Sequence, residues 1–308
     1  MKKLRALLVL GCILPALLAG QDLESFPLTD AWVTGIADKS PETPRATPKQ
    51  QRRVLVFSLH TGYEHWSIPH TEAMLKALLE TSGAARCTLS KDISDLQPEK
   101  LGQFDAVILN NTCPERDYRD MYYDVYRNDP AMTEAQRRER AAAMEAGFLD
   151  YVKAGGGLVL IHGGTTFQNN SMAFSEMSGG SFDFHPPQQP VNVQLAEPGH
   201  VLLQAFEGAG FTHTDEPYFF KNAYAGKNFR PLLFMDAREL TGLETPVEDP
   251  IRYISWIKKY GAGRIFVSAP AHNAQSYENA QLLQFLLDGI QYAIGDLKAD
   301  DDATAAGN

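Results

Sequence analysis

Residues 155–164, GGGLVLIHGG, restrict the fold more than any other stretch of this chain. Three glycines stop the helical pattern before them, and residues 158–161 form the unbroken apolar run expected of a parallel strand covered on both faces. Gly163 and Gly164 then permit a tight turn. His162 therefore falls at the carboxyl end of a buried strand, which is the edge where open α/β sheets bind their ligands.

The flanking sequence repeats the strand-then-helix pattern. RVLVFSL (53–59) reads as a first buried strand with the loop HTGYEH (60–65) at its carboxyl end. Ser67 is placed to cap the next helix, Pro69 suits its first turn, Met74, Leu75, Leu78 and Leu79 form its apolar stripe, and Gly83 ends it. Short strands are expected over 86–89 and 106–109, and helix-length separations imply parallel pairing through right-handed crossovers. Residues 116–130 form a polar insertion with Tyr118, Tyr122, Tyr123 and Tyr126, readable either as a sugar-stacking lid or as a loop packing its tyrosines on its own domain. Thr133 and Gln136 fit a capping box that opens a helix running to Ala154. After a glycine-rich loop over 174–185, strands are expected over 191–195, 231–235, 252–256 and 265–268, and a helix over 277–294 closes the domain. The pattern predicts an α/β fold. Its core is an open, mostly parallel sheet flanked by helices, flavodoxin-like, with extra β-strands inserted in the C-terminal half.

The ends differ from this body. Lys2, Lys3 and Arg5 precede an apolar run over 6–19 and then Gly20, which is the layout of a signal peptide over 1–20 and predicts a periplasmic or secreted protein. That run is short for a membrane span, so no stable span is expected after cleavage. A lipoprotein site at Cys12 fits less well, because apolar residues continue beyond it. Residues 21–51, rich in Pro, Thr and charge, read as a flexible leader, 52–295 as the α/β domain, and 296–308 as a disordered acidic tail. Cys87 and Cys113 read as small apolar residues on different strands rather than a disulfide. A net charge of −10 without a Lys/Arg cluster argues against nucleic acid as a partner.

Three of the apolar strands are each followed within about ten residues by histidine: His60 or His65, then His162, then His272. If they run parallel in one sheet, the imidazoles emerge at one edge. His185 and His200 lie on intervening loops, and Glu216 is a nearby carboxylate. Any one of these histidines is readable as a surface or hydrogen-bonded core residue. As a set they supply the imidazole and carboxylate mixture used for zinc-like ions and for general acid–base chemistry. Their spacing matches no short metal motif such as HExxH, and no nucleotide cofactor is expected.

The segments YEHWSIPH (63–70), LNNTC (109–113), GGGLVLIHGGTT (155–166), MSGGSFDFHP (177–186), DEPY (215–218), YGAGRIFVSAPAHN (260–273) and DGIQYAIG (288–295) together resemble the trehalose-utilisation, ThuA-like family, whose fold is similar to class I glutamine amidotransferases. The resemblance spans about residues 53–295. It implies a sugar substrate, including sugars oxidised at carbon 3, with His162, Glu216 and His65 as catalytic residues. Tyr63, Asn111, Thr165, Asp215, Tyr218 and Asn273 are then expected to contact substrate, and His65, His162, His185 and His272 to hold a divalent, zinc-like metal. Amidotransferases carry a nucleophilic cysteine at the strand–turn elbow, where this chain has His162, so glutaminase activity is not expected. The glycine usual before the last family histidine is Ala271 here. The expected function is an exported enzyme of lyase, isomerase or hydrolase type acting on glycosides or 3-keto-glycosides. The alternative is a noncatalytic carbohydrate-binding or scaffold domain. A hydrolase built on the adjacent pair Asp215 and Glu216 is less favoured, since neighbouring side chains on a strand diverge; homo-oligomerisation stays open.

Overall fold

The computed structural model describes residues 23–245 and 247–303. The elements are, in order, α1 (Asp30–Lys39), β1 (Arg53–Phe57), α2 (Ile68–Ser82), β2 (Arg86–Ser90), α3 (Pro98–Leu101), β3 (Ala106–Asn110), α4 (Met121–Tyr126), α5 (Glu134–Lys153), β4 (Gly157–Ile161) and α6 (Met172–Ser178). They continue with β5 (Ser181–Phe182), β6 (Gln189–Leu195), β7 (Phe211–Asp215), β8 (Phe220–Lys221), β9 (Arg230–Asp236), β10 (Ile251–Tyr260), β11 (Gly263–Ser268) and α7 (Ala280–Ala293). Nine strands form one sheet in the order β2-β1-β3-β4-β11-β10-β9-β6-β7, and β5 pairs with β8 separately.

The first five of these strands are parallel, in the flavodoxin-like order, and the strands added in the C-terminal half extend the sheet antiparallel. The chain moves outward from β1 to β2 through α2, and in the opposite direction from β3 to β4 through α5. Right-handed crossovers then put α2 and α5 on opposite faces. Both faces being covered, β3 and β4 are buried at every position. The glycines of the opening stretch serve this packing: a Cβ on Gly157 would stand 2.5 Å from Ala293 O at the end of α7, and one on Gly164 would stand 2.0 Å from Leu109 O. Neither position admits a side chain without moving backbone.

Several local expectations are met. Thr133 and Gln136 form the reciprocal capping box of α5, and Gly83 ends α2 at φ +69°. Ser67 does sit at the cap position of α2, but its hydroxyl donates to His272 O (2.6 Å) instead of capping, and so ties the start of that helix to the turn after β11. Cys87 and Cys113 are free.

Two expectations need correction. Residues 23–51 do not form a flexible leader: Thr29 caps α1, Ile36 is buried, Phe26 and Trp32 pack edge-on against His70, and Arg45 pairs with buried Asp288 at 2.8 Å. A few apolar anchors and one buried ion pair outweigh the Pro- and Thr-rich composition. The acidic tail is not disordered over its described part. Asp296 pairs with Arg52 (2.5 Å), Asp301 accepts from Tyr292 (2.9 Å), and Leu297 is buried. Its charges are used as partners rather than solvated. Of the two readings of 116–130, packing on the protein's own domain holds for Tyr122 and Tyr123, which are buried in α4, Tyr123 donating to Glu134, while Tyr118 is exposed. The signal-peptide reading, with Cys12, lies outside the described residues. No helix among the described residues is long and apolar enough to cross a membrane.

Candidate functional site

The carboxyl ends of β1, β3, β4 and β11 meet at the point where the sheet reverses its winding, so the loops that follow them share one edge. His162 follows β4 with φ +45°, a left-handed conformation uncommon outside glycine, which turns the chain sharply into a 3₁₀ turn over His162–Thr166. Two residues hold that elbow. Thr165 Oγ1 donates to His162 O (2.9 Å), and Asn111 Oδ1 accepts from Gly163 N (3.1 Å).

The His162 imidazole is fully buried, and its Nδ1 lies 2.8 Å from Ala269 O. A carbonyl only accepts, so Nδ1 carries the hydrogen and Nε2 is directed into the site. There Nε2 lies 3.2 Å from Glu216 Oε2 and 3.1 Å from His272 Nδ1, while His272 Nδ1 lies 3.1 Å from Glu216 Oε2. His65, buried on the loop after β1, packs its ring 5.1 Å from the rings of both His162 and His272. Ligand atoms of His65, His162, Glu216 and His272 all fall within 4.8 Å of one another.

Hydrogen bonding alone does not account well for this triangle. Three atoms in mutual contact have three edges, yet even with hydrogens on both His162 Nε2 and His272 Nδ1 only the two edges to Glu216 are hydrogen bonds, and the 3.1 Å edge between the two nitrogens is not. Ligands about 2.0–2.1 Å from one tetrahedral ion would stand roughly 3.3 Å apart, close to the three separations of the triangle, with the His65 ligand atom within 4.8 Å of the others. The Nδ1–H of His162 on a backbone carbonyl is also the usual outer support of a metal-binding imidazole. The residues therefore fit a divalent ion with nitrogen and oxygen ligands.

Without an ion, Glu216 and His162 favour each other's charged forms. Burial alone would raise the Glu216 carboxyl, but hydrogen bonds from His162 and His272 outweigh it and hold the group well below the usual carboxylate range. Burial opposes charge on His162 too, and is outweighed by Glu216, Asp215 and the Ala269 carbonyl, which raise its pKa. Burial, reinforced by His162 and His272, pushes His65 well below its ordinary value and leaves it neutral. Cys113, whose Sγ is 3.7 Å from His65 Nδ1, is pushed up to about 12 by burial and is a neutral thiol. No thiolate stands ready for glutaminase chemistry.

A cavity of about 450 Å³ opens over this cluster. His65 and Glu216 lie at its base. Tyr63, Phe182, Phe184 and Tyr218 supply aromatic wall, and Arg116, Arg119, Thr166, Asn169 and His185 line the remainder. Tyr218 packs on His162 with ring centroids 4.2 Å apart, and His185 stacks on the other part of the wall against Tyr218 at 5.5 Å.

Of the residues singled out in the sequence, His65, His162, His272, Glu216, Tyr63 and Tyr218 come together. His185 stands outside the ligand cluster: its side chain is about one-third exposed, its Nδ1 meets Pro186 O, and its Nε2 is 3.7 Å from Glu216. Glu216, expected as a catalytic residue, stands in the cluster where His185 was expected. His60 pairs with Glu64 and His200 meets Asp300 O, both away from the cluster. Four expected substrate contacts are framework instead. Asp215 accepts from the backbone N–H of Ala271 and His272, Asn273 donates to Gln188 and Thr214, and Asn111 and Thr165 hold the elbow. All four are buried and none lines the cavity. Thr166, next to Thr165, faces it instead. Arg116 and Arg119 escaped the sequence reading, although they lie in the insertion whose tyrosines drew it.

Ala271, where the family usually has glycine, adopts φ +90° and is fully buried. Strain of about 1–3 kcal/mol at such a residue nearly offsets the buried methyl (about 0.8 kcal/mol) and the chain entropy that alanine saves (about 0.4–1 kcal/mol). Ala271→Gly is therefore expected to change stability by less than about 1 kcal/mol, whereas Ala269→Gly, at a buried position without positive φ, should cost about 1–2 kcal/mol. Urea unfolding of the two variants beside the parent checks this; equal losses would show that Ala271 is unstrained.

Fold and site together define an α/β protein with a large, mostly parallel sheet in which the turn after β4 presents a buried histidine. The chain belongs to the trehalose-utilisation (ThuA) family, which it matches over residues 53–293. Its fold is similar to that of a ThuA-like protein from Bacteroides uniformis (TM-score 0.59, 19% identity, covering 81% of this chain and 94% of that one). It is also similar to one from Parabacteroides merdae (TM-score 0.56, 17% identity, 80% and 91%). Comparison with curated proteins returns no match.

Proposed function

We propose that this protein is an exported carbohydrate-active enzyme working on glycosides or 3-keto-glycosides, with a divalent ion held by His65, His162, Glu216 and His272. The observation that carries the reading is the 3.1–3.2 Å triangle of His162 Nε2, His272 Nδ1 and Glu216 Oε2 at the base of an aromatic-walled cavity. Family membership supports the sugar, and the charged start and apolar run of residues 1–20 support export.

His65, His162, Glu216 and His272 would hold a divalent ion, which would supply Lewis acidity toward a ketone and neighbouring hydroxyl and make the adjacent C–H more acidic. The chain's own residues do the rest. Tyr63, exposed at the cavity, offers a ring face to the apolar side of a sugar, and Tyr218, packed on His162 and His185, backs the wall. His185 is the group outside the ligand cluster that lines the cavity: with Nδ1–H donated to Pro186 O (2.9 Å), its Nε2 carries the lone pair and serves as general base. Glu216, 3.7 Å away, stabilises the imidazolium that results.

Elemental analysis of the purified full chain, with turnover of 3-keto-disaccharides before and after chelation, tests this. About one divalent ion per chain is expected, with turnover lost on chelation and restored by metal. Sugar affinity without product over long incubation and without bound metal would instead identify a noncatalytic binding domain.

A further inference from the structure

Most guanidinium groups in this acidic chain have a partner. Arg52 meets Asp105 and Asp296, Arg127 meets Glu115, Arg230 meets Glu197, and Arg252 lies over Phe219. Arg116 and Arg119 are different. Both line the cavity, and among the described residues neither side chain has a hydrogen-bond, ion-pair or ring partner. Leaving two guanidiniums of one cavity lining without a partner in a chain of net charge −10, rich in carboxylates to pair with them, needs a reason.

The cavity's own carboxylates do not supply one. Asp183 is taken by Lys221 (3.0 Å), and Glu216 by His162 and His272. Both cavity carboxylates thus already have partners, whereas the two guanidiniums do not. Arg119 is also held in place: its N–H donates to Glu115 O (2.8 Å), its carbonyl accepts from Asn170 N (3.1 Å) beside the cavity residue Asn169, and its φ is +53°. Arg116 is exposed and Arg119 half-buried, whereas His65 is buried, so the arginines stand at the mouth and the histidine–glutamate cluster at the base.

We propose that the ligand of this cavity is an anionic sugar, one bearing a carboxylate or a phosphate ester, whose oxyanion is received by Arg116 and Arg119 while its ring lies over the cluster. A planar guanidinium fork matches both oxyanions, and charge-assisted pairs in a cleft are the stronger hydrogen bonds. The inference rests on the carbohydrate reading above and narrows it to a charged substrate class. It places the specificity for charge at the mouth of the cavity, apart from the ligand cluster.

Calorimetric titration of the full chain with D-glucuronate, D-glucose 6-phosphate, D-glucose and inorganic phosphate tests it, using the parent and the Arg116→Gln/Arg119→Gln double variant. In the parent at least one anionic sugar is expected to bind about tenfold or more tighter than glucose, with the advantage shrinking at high salt. The arm that shows this distinguishes carboxylate from phosphate. The double variant should lose the advantage, with glucose affinity, bound metal and unfolding midpoint unchanged, and Arg116→Lys/Arg119→Lys should keep part of it. Equal binding of charged and neutral sugars, or a preference that survives in the double variant, overturns the inference and leaves the carbohydrate reading standing. Arginine-dependent binding of inorganic phosphate with no gain from a sugar ring keeps the anion site and overturns the carbohydrate reading. Absence of binding by every probe overturns the inference outright.

Discussion

His162→Ala is expected to abolish the proposed binding of a divalent ion and the proposed turnover. His162 Nε2 contributes two of the three edges of the ligand triangle, and its Nδ1–H is the cluster's hydrogen bond to the Ala269 carbonyl. Loss of an outer support typically weakens metal binding by about 10–100-fold, so loss of a direct ligand should exceed about 100-fold. Two other histidines separate this from a general effect of losing imidazole. His200→Ala, which removes a ring bonded to Asp300 O far from the cluster, should leave metal content and turnover as in the parent. His185→Ala should keep the metal and lower kcat by about 10²–10⁴, the usual value of a positioned general base. Stoichiometric metal in His162→Ala would refute the ligand set. Metal loss in His185→Ala would return His185 to it.

These distinctions mark where the sequence is informative. Residue type and strand order were enough to bring His65, His162 and His272 to one edge, because an unbroken apolar run is buried on both faces and its end is then fixed by topology. The direction in which a polar loop residue points is set by contacts distant in sequence. Asp215, Asn111, Thr165 and Asn273 are polar, adjacent to the site and buried, yet each is spent on backbone groups that the sharp turns leave exposed. Thr165 and Thr166 differ by one position, and only the second lines the cavity. Composition misled at the chain's ends for a related reason: Phe26, Trp32 and Ile36 are few, but each finds a prepared surface. Arg116 and Arg119 carry a signal that is only an absence, the lack of a partner, and partners are visible only in three dimensions.

Among the framework residues Asp215 should be the costliest to remove. Its carboxylate, almost wholly buried, accepts from Ala271 N (2.7 Å), His272 N (2.9 Å) and Glu216 N (2.9 Å), and lies 3.4 Å from His213 Nε2. One side chain thus clips the end of β7 to the turn after β11 and sets the backbone of two members of the ligand cluster. In Asp215→Ala the N–H groups of Ala271 and His272 lose their acceptor in a dry interior. Charge-assisted hydrogen bonds contribute about 1.5–3 kcal/mol each, and a buried donor left unsatisfied adds a penalty of similar size. Since the turn can relax, the expected cost is about 3–5 kcal/mol, seen as a lower urea midpoint at unchanged slope. Asp215→Asn, which keeps one acceptor oxygen, should cost less. Where Asp215→Ala remains folded, metal affinity should fall by about 10–100-fold although every ligand is present, as expected for a group that orients ligands without touching the ion. Ala271→Gly added to Asp215→Ala is expected to be non-additive, because the carboxylate holds Ala271 at φ +90° and its loss releases that strain. A loss below about 1 kcal/mol in Asp215→Ala, or strict additivity with Ala271→Gly, would show that the turn after β11 is held by other contacts.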